Sequence, residues 1–283
     1  MSIPEHVFRV NTLCACCCMV DTRIALLSTT PRRVFEDYHH LLDLIVPQLN
    51  TIDYVVIVPS VSPTAFPGTS AMPWQFEAIV RSLYLRGIRA YWQYPIAGDP
   101  AAFAPIAAAY HIPRAHFTTH TPDAMLWHLV PCTLTALRST TSYPAGIIRE
   151  LNHRTQQTLT IVDATTISAS FDNLPLVSNL ILAGHNQQAL SAVVARLLGY
   201  DQAHPDLSRQ APVVIGEPAI FAAAAERAQQ RRSQAFAAGW PERLVHELLK
   251  VFPPTQYREP AHRDWLYHSQ WGRLFQRYQR RML

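Results

Sequence analysis

The sequence contains very little lysine and glycine, and these two shortages exclude several kinds of enzyme. Lys250 is the only lysine among 283 residues, and it ends a helix-like run just before Phe-Pro-Pro. A P-loop needs Gly-Lys-Ser/Thr and a Schiff-base enzyme needs a buried lysine, so neither class fits. The nine glycines never occur as Gly-x-Gly, the spacing that brings a dinucleotide-binding loop close to a pyrophosphate. We therefore expect no bound cofactor.

Long apolar runs are also missing. No unbroken run approaches the roughly 18 to 20 residues of a membrane-spanning helix, and the first residues lack the apolar core of a secretory signal. We expect a cytoplasmic protein without a transmembrane segment. Hydrophobic residues make up 49% of the chain, which is enough for an extensive core in one large α/β domain or two small ones.

Short apolar runs alternate with amphipathic helical patterns along most of the chain. Strands that are covered on both faces give such runs, and their alternation with helices predicts an α/β fold with a mainly parallel sheet covered on both faces. Residues 111–145 contain several prolines and no long period, which predicts an irregular segment. We predict strands at 23–28, 54–59, 88–94, 159–163, 176–183 and 212–215, and helices at 31–49, 73–86, 187–198, 217–238, 241–250 and 261–282.

The chain divides into three parts by pattern. Residues 1–18 are interpreted as a disordered or untranslated extension, 19–217 as the α/β domain and 218–283 as a helical C-terminal extension. Four of the five cysteines lie in the first part, at positions 14, 16, 17 and 18. Adjacent cysteines do not easily reach one tetrahedral metal centre, so we do not interpret them as metal ligands.

Several histidines lie within residues 111–145. The spacing of His111, His116 and His120 would suit zinc if a loop brought the rings together, with Asp123 as a further ligand. The alternative is a set of scattered surface or capping histidines. Because the segment has no regular period, we favour that alternative and predict no metal site.

Three stretches carry a family resemblance: residues 55–88, LTIVDATT at 159–166, and LILAGHNQQALSAVVARLLGYD at 180–201. In order and spacing they resemble the domain of unknown function 362 family over about residues 20–217. The resemblance implies an α/β fold. In many relatives it also implies an appended ferredoxin-like module with iron–sulfur cysteines, which this chain lacks. It implies no settled reaction.

The chain departs from the family pattern at polar positions. Val58-Pro59-Ser60 stands where relatives have Lys-Pro-Asn, and Asn186 and Ser191 stand where they have acidic residues. Asp163 is retained. Carboxylates and lysines are groups that bind metals and transfer protons. Their loss predicts a divergent, non-catalytic member.

Open α/β sheets bind ligands beyond the carboxyl ends of their strands. We therefore expect one rim to carry Asp163 and His185, as a catalytic acid–base pair if the protein is an enzyme, together with ligand-binding side chains. Each hydroxyl could instead form a turn or a helix cap, and Asn186 caps its helix in either case. The ligand-binding candidates are Ser60, Thr69, Ser70, Thr165, Thr166 and Asn186.

Two kinds of function remain open. One is a binding or accessory (scaffold) protein that kept the fold and lost the polar chemistry. The other is an enzyme that acts on a small anionic substrate through Asp163 and His185, or a redox-pathway protein whose iron–sulfur cluster lies on another chain.

The last predicted helix, 261–282, carries five arginines and one aspartate. Arg273, Arg277, Arg280 and Arg281 gather towards its end and are the predicted partner-binding residues, for an acidic protein, a phosphate-bearing ligand or an anionic membrane. Sequence-specific nucleic-acid binding is not expected, because the rest of the chain has no basic stripe. An apolar side, which docks either on the protein's own sheet or on the partner, is predicted from Trp265, Leu266, Leu274, Phe275 and Tyr278.

Overall fold

A computed structural model describes most of the chain: residues 21–46, 52, 54–60, 67–93, 100–115, 125–133, 137, 157–167, 176–200, 212–237 and 259–282. Its strands are β1 (Arg23–Ser28), β2 (Tyr54–Pro59), β3 (Arg89–Trp92), β4 (Met125–Pro131), β5 (Gln157–Ile167), β6 (Leu176–Gly184) and β7 (Val213–Gly216). Its helices are α1 (Val34–Ile45), α2 (Pro73–Leu85), α3 (Ala104–Ala109), α4 (Gln187–Leu197), α5 (Pro218–Ala237), α6 (Glu259–His268) and α7 (Gln270–Met282).

The strands form one mixed sheet in the order β3-β2-β4-β5-β6-β1-β7. Six of these strands run parallel, and β6 runs antiparallel to both of its neighbours, β5 and β1. The carboxyl ends of the six parallel strands therefore share one edge, which we call the carboxyl edge. The end of β6 lies at the opposite, amino edge.

Helices cover both faces of this sheet, as predicted. On the front face, which carries Ala25, Ile57 and Ile161, the core includes side chains of α1, α2 and α7. On the back face, which carries Leu26 and Val162, it includes side chains of α4 and α5. The protein is thus an α/β protein whose C-terminal helices pack on the sheet.

The periodicity of the sequence correctly predicts three amphipathic helices. In α1, the residues Val34, Tyr38 and Leu41 of the predicted stripe are all buried. Helix α2 has Pro73 in its first turn and is followed by Gly87 at φ 68°, a left-handed conformation that glycine adopts without steric cost. Helix α4 is capped by the preceding residue, Asn186, whose side-chain oxygen accepts a hydrogen bond from the Ala189 N–H at 3.0 Å.

The prediction of an irregular segment at 111–145 is wrong for residues 125–131. They form β4, a central strand that is buried along its whole length and lies between β2 and β5. The sequence MLWHLVP does not show the unbroken apolar run that is typical of a buried strand, because His128 interrupts the run and Pro131 ends it. Burial lowers the pKa of His128 to about 4, so the ring is neutral at pH 7 and can lie in an apolar sheet.

The prediction of one helix over 261–282 is also wrong, because the chain bends at Ser269 between α6 and α7. The Ser269 hydroxyl accepts a hydrogen bond from the Gly272 N–H at 2.8 Å and so caps α7. Position 272 admits only glycine at this bend. A Cβ there would lie 2.6 Å from the backbone of Leu266 and Trp265.

Two predicted segments, residues 1–18 and the helix at 241–250, lie outside the described residues. No helix in the described part of the chain has the length and apolar character needed to cross a membrane.

Replacing Val193 or Leu197 of α4 by alanine should lower the free energy of unfolding by about 1 to 5 kcal/mol, because both side chains are buried against the back face. Chemical denaturation measures this change. The matched control is Gln188→Ala on the exposed side of the same helix, which should have little effect. Equal stabilities of all three variants and the native protein would contradict the packing of α4.

Candidate functional site

Asp163 is the central polar residue of the carboxyl half of the sheet. It lies within β5, since this strand continues to Ile167 rather than ending at Asp163 as predicted. The pairing of β5 with β6 is irregular between Ala164 and Thr166. A bulge of this kind lets a strand redirect its side chains, and here it brings Thr165 onto the Asp163 carboxylate.

Both carboxylate oxygens of Asp163 accept hydrogen bonds. Oδ1 accepts from the Thr165 backbone N–H at 2.9 Å and from the Thr165 hydroxyl at 2.5 Å. Oδ2 accepts from the indole N–H of Trp74 at 2.8 Å. Trp74 belongs to the first turn of α2, so this hydrogen bond joins the start of α2 to β5.

The surroundings of Asp163 are almost free of water. Asp163 is 2% exposed, and Trp74, Tyr38 and Thr165 are 0% exposed. Burial raises the pKa of Asp163 to about 6, although the hydrogen bonds from Thr165 and Trp74 act in the opposite direction. Burial and then the charge of Asp163 raise the pKa of Tyr38 well above its usual value. Among the described residues the Tyr38 hydroxyl has no hydrogen-bond partner, so it leaves a buried polar group unsatisfied next to the carboxylate.

Helix α7 closes this part of the front face. The ring of Trp271 lies 5.5 Å from that of Trp74, and the rings of Phe275 and Tyr278 lie 6.5 and 6.3 Å from it. The Trp271 indole N–H donates to the Asn179 side-chain oxygen at 2.7 Å, and the Tyr278 hydroxyl donates to the Glu77 carboxylate. The apolar side of α7 is therefore buried against the protein itself.

The predicted ligand-binding hydroxyls do gather at the carboxyl edge. Ser60 follows β2, where its N–H donates to the Leu129 carbonyl and its carbonyl accepts from Ala71, both at 2.7 Å. This bonding brings the segment with Thr69 and Ser70 next to the end of β2. Ser60 and Thr69 are half-buried, whereas the other three are buried: Ser70, Thr165 and Thr166.

His185 and Asn186 do not lie on this rim, so that prediction is wrong. They follow β6, which is antiparallel, and therefore lie at the amino edge. Asp163 pairs with Ile181 of the neighbouring strand. His185 comes four residues after Ile181, so it lies about 13 Å from this pair along the strand direction. There the His185 Nδ1 contacts the Thr158 carbonyl oxygen at 2.8 Å. Asp163 and His185 cannot act on one substrate atom from these positions.

The predicted histidine cluster is only partly described. His111 is exposed in a left-handed conformation, with φ 54°, and His116 and His120 lie outside the described residues. Within the described ranges, no three His, Cys, Asp or Glu side chains are placed so that they could hold a metal ion.

Sequence reasoning missed four residues around Asp163: Tyr38, Trp74, Asn179 and Trp271. One usable signal is the position of Trp74, which directly follows Pro73 at the start of a helix that leaves the carboxyl edge. An aromatic donor at such a helix start is well placed to reach a polar group of the neighbouring strand. The contact of Trp271 with Asn179 joins residues 92 positions apart, so no local pattern reveals it.

Among the described residues, this arrangement holds a buried carboxylate through three hydrogen bonds, from Trp74 and Thr165. No family model, curated protein or solved structure matches the chain, so the interpretation of the site depends on its own geometry.

Trp74→Phe should lower the free energy of unfolding more at pH 8 than at pH 5. The folded-state pKa of Asp163 lies above its usual value, so burial of the ionised carboxylate costs stability that grows as pH rises from about 4 to 6. Loss of the indole donor raises this cost by about 1.5 to 3 kcal/mol where the carboxylate is ionised. Urea denaturation at both pH values measures it.

The matched control for this pH effect is Trp127→Phe. Trp127 is also 0% exposed, and in the described part of the chain its indole N–H has no hydrogen-bond partner. Trp127→Phe changes packing alone, so it should lower the free energy of unfolding by the same amount at both pH values. An equal loss for Trp74→Phe at pH 5 and pH 8 would show that the indole does not stabilise the ionised carboxylate.

His128→Gln should remove part of the acid sensitivity of the fold. The folded-state pKa of His128, about 4, lies below its usual value of 6.5, so its contribution to stability is lost as pH falls from about 6.5 to 4. The loss reaches about 3 kcal/mol. The difference in unfolding free energy between native protein and variant should shrink by this amount over that range. A constant difference would mean that His128 is not buried as a neutral ring.

Proposed function

We propose that this chain is a binding or accessory protein without an acid–base centre at its carboxyl edge, and that it binds an acidic protein partner through the arginines of α7. It would then be a divergent relative of the domain of unknown function 362 family that kept the fold. The observation that carries the proposal is the state of Asp163, whose two oxygens are already bonded to Trp74 and Thr165 within a closed interior.

A catalytic carboxylate must reach its substrate within hydrogen-bonding distance. Asp163 is 2% exposed and is bonded to Trp74, on which the aromatic side chains of α7 pack. The proton-transfer partner proposed from sequence, His185, lies at the other edge of the sheet. These two facts favour a structural role for Asp163 and argue against the alternative enzyme.

The basic side of α7 is the surface that we assign to the partner. This helix contains four arginines and no acidic residue. Arg273, Arg277 and Arg280 are exposed, and within the described part of the chain they form no salt bridge. Their spacing of four and three residues places them on one side of the helix, over about 10 Å of its length.

The burial of the other side of α7 favours a protein over a membrane. Helices that bind in a bilayer interface insert an apolar face next to their basic face. In α7 that apolar face, with Trp271, Phe275 and Tyr278, packs on Trp74. The exposed side of the helix therefore offers positive charge and polar groups rather than apolar area, and the arginines suit surface carboxylates.

Titration of fluorescently labelled poly-glutamate with the full chain tests this proposal. We expect saturable binding that weakens as salt is added, because exposed charges are screened. The variant Arg273→Gln, Arg277→Gln, Arg280→Gln should bind at least about tenfold more weakly, since three charged contacts are lost. The control variant Arg23→Gln, Arg32→Gln, Arg227→Gln removes the same charge from exposed positions elsewhere and should bind like the native protein.

Two other probes decide the class of partner. Vesicles that contain phosphatidylserine, and duplex DNA, are titrated under the same conditions. Tighter binding of either one than of poly-glutamate would overturn the assignment to an acidic protein. Equal losses in the two arginine variants would show that binding follows net charge rather than α7.

A further inference from the structure

The solvent-facing stripe of α2 continues from the point where α7 ends. Along α2, Glu77, Arg81, Tyr84 and Leu85 follow each other at helical spacing, while most of the other side chains of the helix are buried. Tyr278, near the end of α7, donates its hydroxyl proton to Glu77 at the start of this stripe. The stripe then extends from this contact for about 12 Å along the helix axis.

The far end of the stripe is an exposed apolar surface. Tyr84 is 68% exposed and Leu85 is 64% exposed, the two highest values among the large hydrophobic side chains of the described residues. Tyr110, which follows α3, meets the Tyr84 ring edge to face with centroids 6.2 Å apart. Together with Tyr110 these side chains form a contiguous apolar patch, and such a patch is where a contact with another protein would be expected.

Two exposed cations, Arg81 and Arg89, lie within four residues of this apolar end along the chain, and Arg86, which directly follows Leu85, is paired with Asp43. Arg81 lies one turn before Leu85, and its guanidinium group is held 5.2 Å from the centre of the Phe35 ring of α1. Arg89 follows Gly87 and is exposed. The only acidic residue of α2 is Glu77, whose carboxylate is already bonded to Tyr278. The stripe thus carries an exposed arginine next to its apolar end, and tyrosine and arginine are the residue types that are enriched among the main contributors to protein interfaces.

We infer that the partner of the α7 arginines is an acidic protein segment that also carries an apolar or aromatic anchor, and that this anchor binds at Tyr84 and Leu85. The inference rests on the proposed function, which it deepens by adding a second, uncharged point of recognition. Carboxylates of the segment meet Arg81 and the α7 arginines, and the anchor covers the apolar end of α2. The opposite charges speed the association of the two proteins, and the anchor distinguishes this partner from other acidic chains.

Two labelled polymers of equal length test the inference with the full chain: poly-glutamate, and a copolymer of glutamate and tyrosine. The native protein should bind the copolymer about tenfold more tightly, the effect of one well-placed aromatic contact. The variant Tyr84→Gln, Leu85→Gln should lose this preference and still bind poly-glutamate like the native protein. Both changes lie on the exposed side of α2, and circular dichroism and the unfolding midpoint verify that the variant is folded.

The control for the anchor is Val213→Thr on β7, which removes apolar area from a side chain that is 52% exposed at the other end of the sheet. It should leave the preference for the copolymer unchanged. If the double variant keeps that preference, or if the native protein binds both polymers equally, the anchor site is wrong while the α7 proposal stands. If the native protein binds neither polymer, both proposals are wrong.

Discussion

The hydrogen bond between the Trp74 indole and the Asp163 carboxylate is the contact on which the front half of the structure depends. It joins the first turn of α2 to the central strand β5 in a region that water does not reach. A buried carboxylate is costly unless donors satisfy it, and a buried indole N–H equally needs an acceptor. Each group therefore makes the burial of the other tolerable. The same indole ring then supports three aromatic side chains of α7, so α7 is connected to β5 through Trp74.

The direction of one strand decides which polar residues can meet. Because β6 is antiparallel to β5 and β1, the chain reaches the amino edge at Gly184 and starts α4 from there. His185 and Asn186 are consequently separated from Asp163 by much of the sheet, although they follow it closely in sequence. An all-parallel sheet would have placed the three residues on one rim. The loss of the acid–base pair is thus a consequence of topology rather than of residue type.

Apolar periodicity was sufficient to locate β1, β2, α1, α2 and α4, since each buries a regular stripe or run. It failed at β4, because the sequence alone does not distinguish a buried neutral histidine, such as His128, from an exposed charged one. It also failed at Ser269, because the bend depends on a cap and on one close backbone contact rather than on a period. At the candidate site, the sequence indicated Asp163 and the neighbouring threonines. Trp74 and Trp271 were missed because their partners are distant in the chain.

The bend at Gly272 has a consequence for how the basic surface could change over time. The direction of α7 relative to α6 is set by a residue without a side chain, at a point where the two backbones touch. A substitution there would rotate the arginines as a group without altering any of them. The orientation of the α7 arginines is therefore set by a buried backbone position that carries no charge itself.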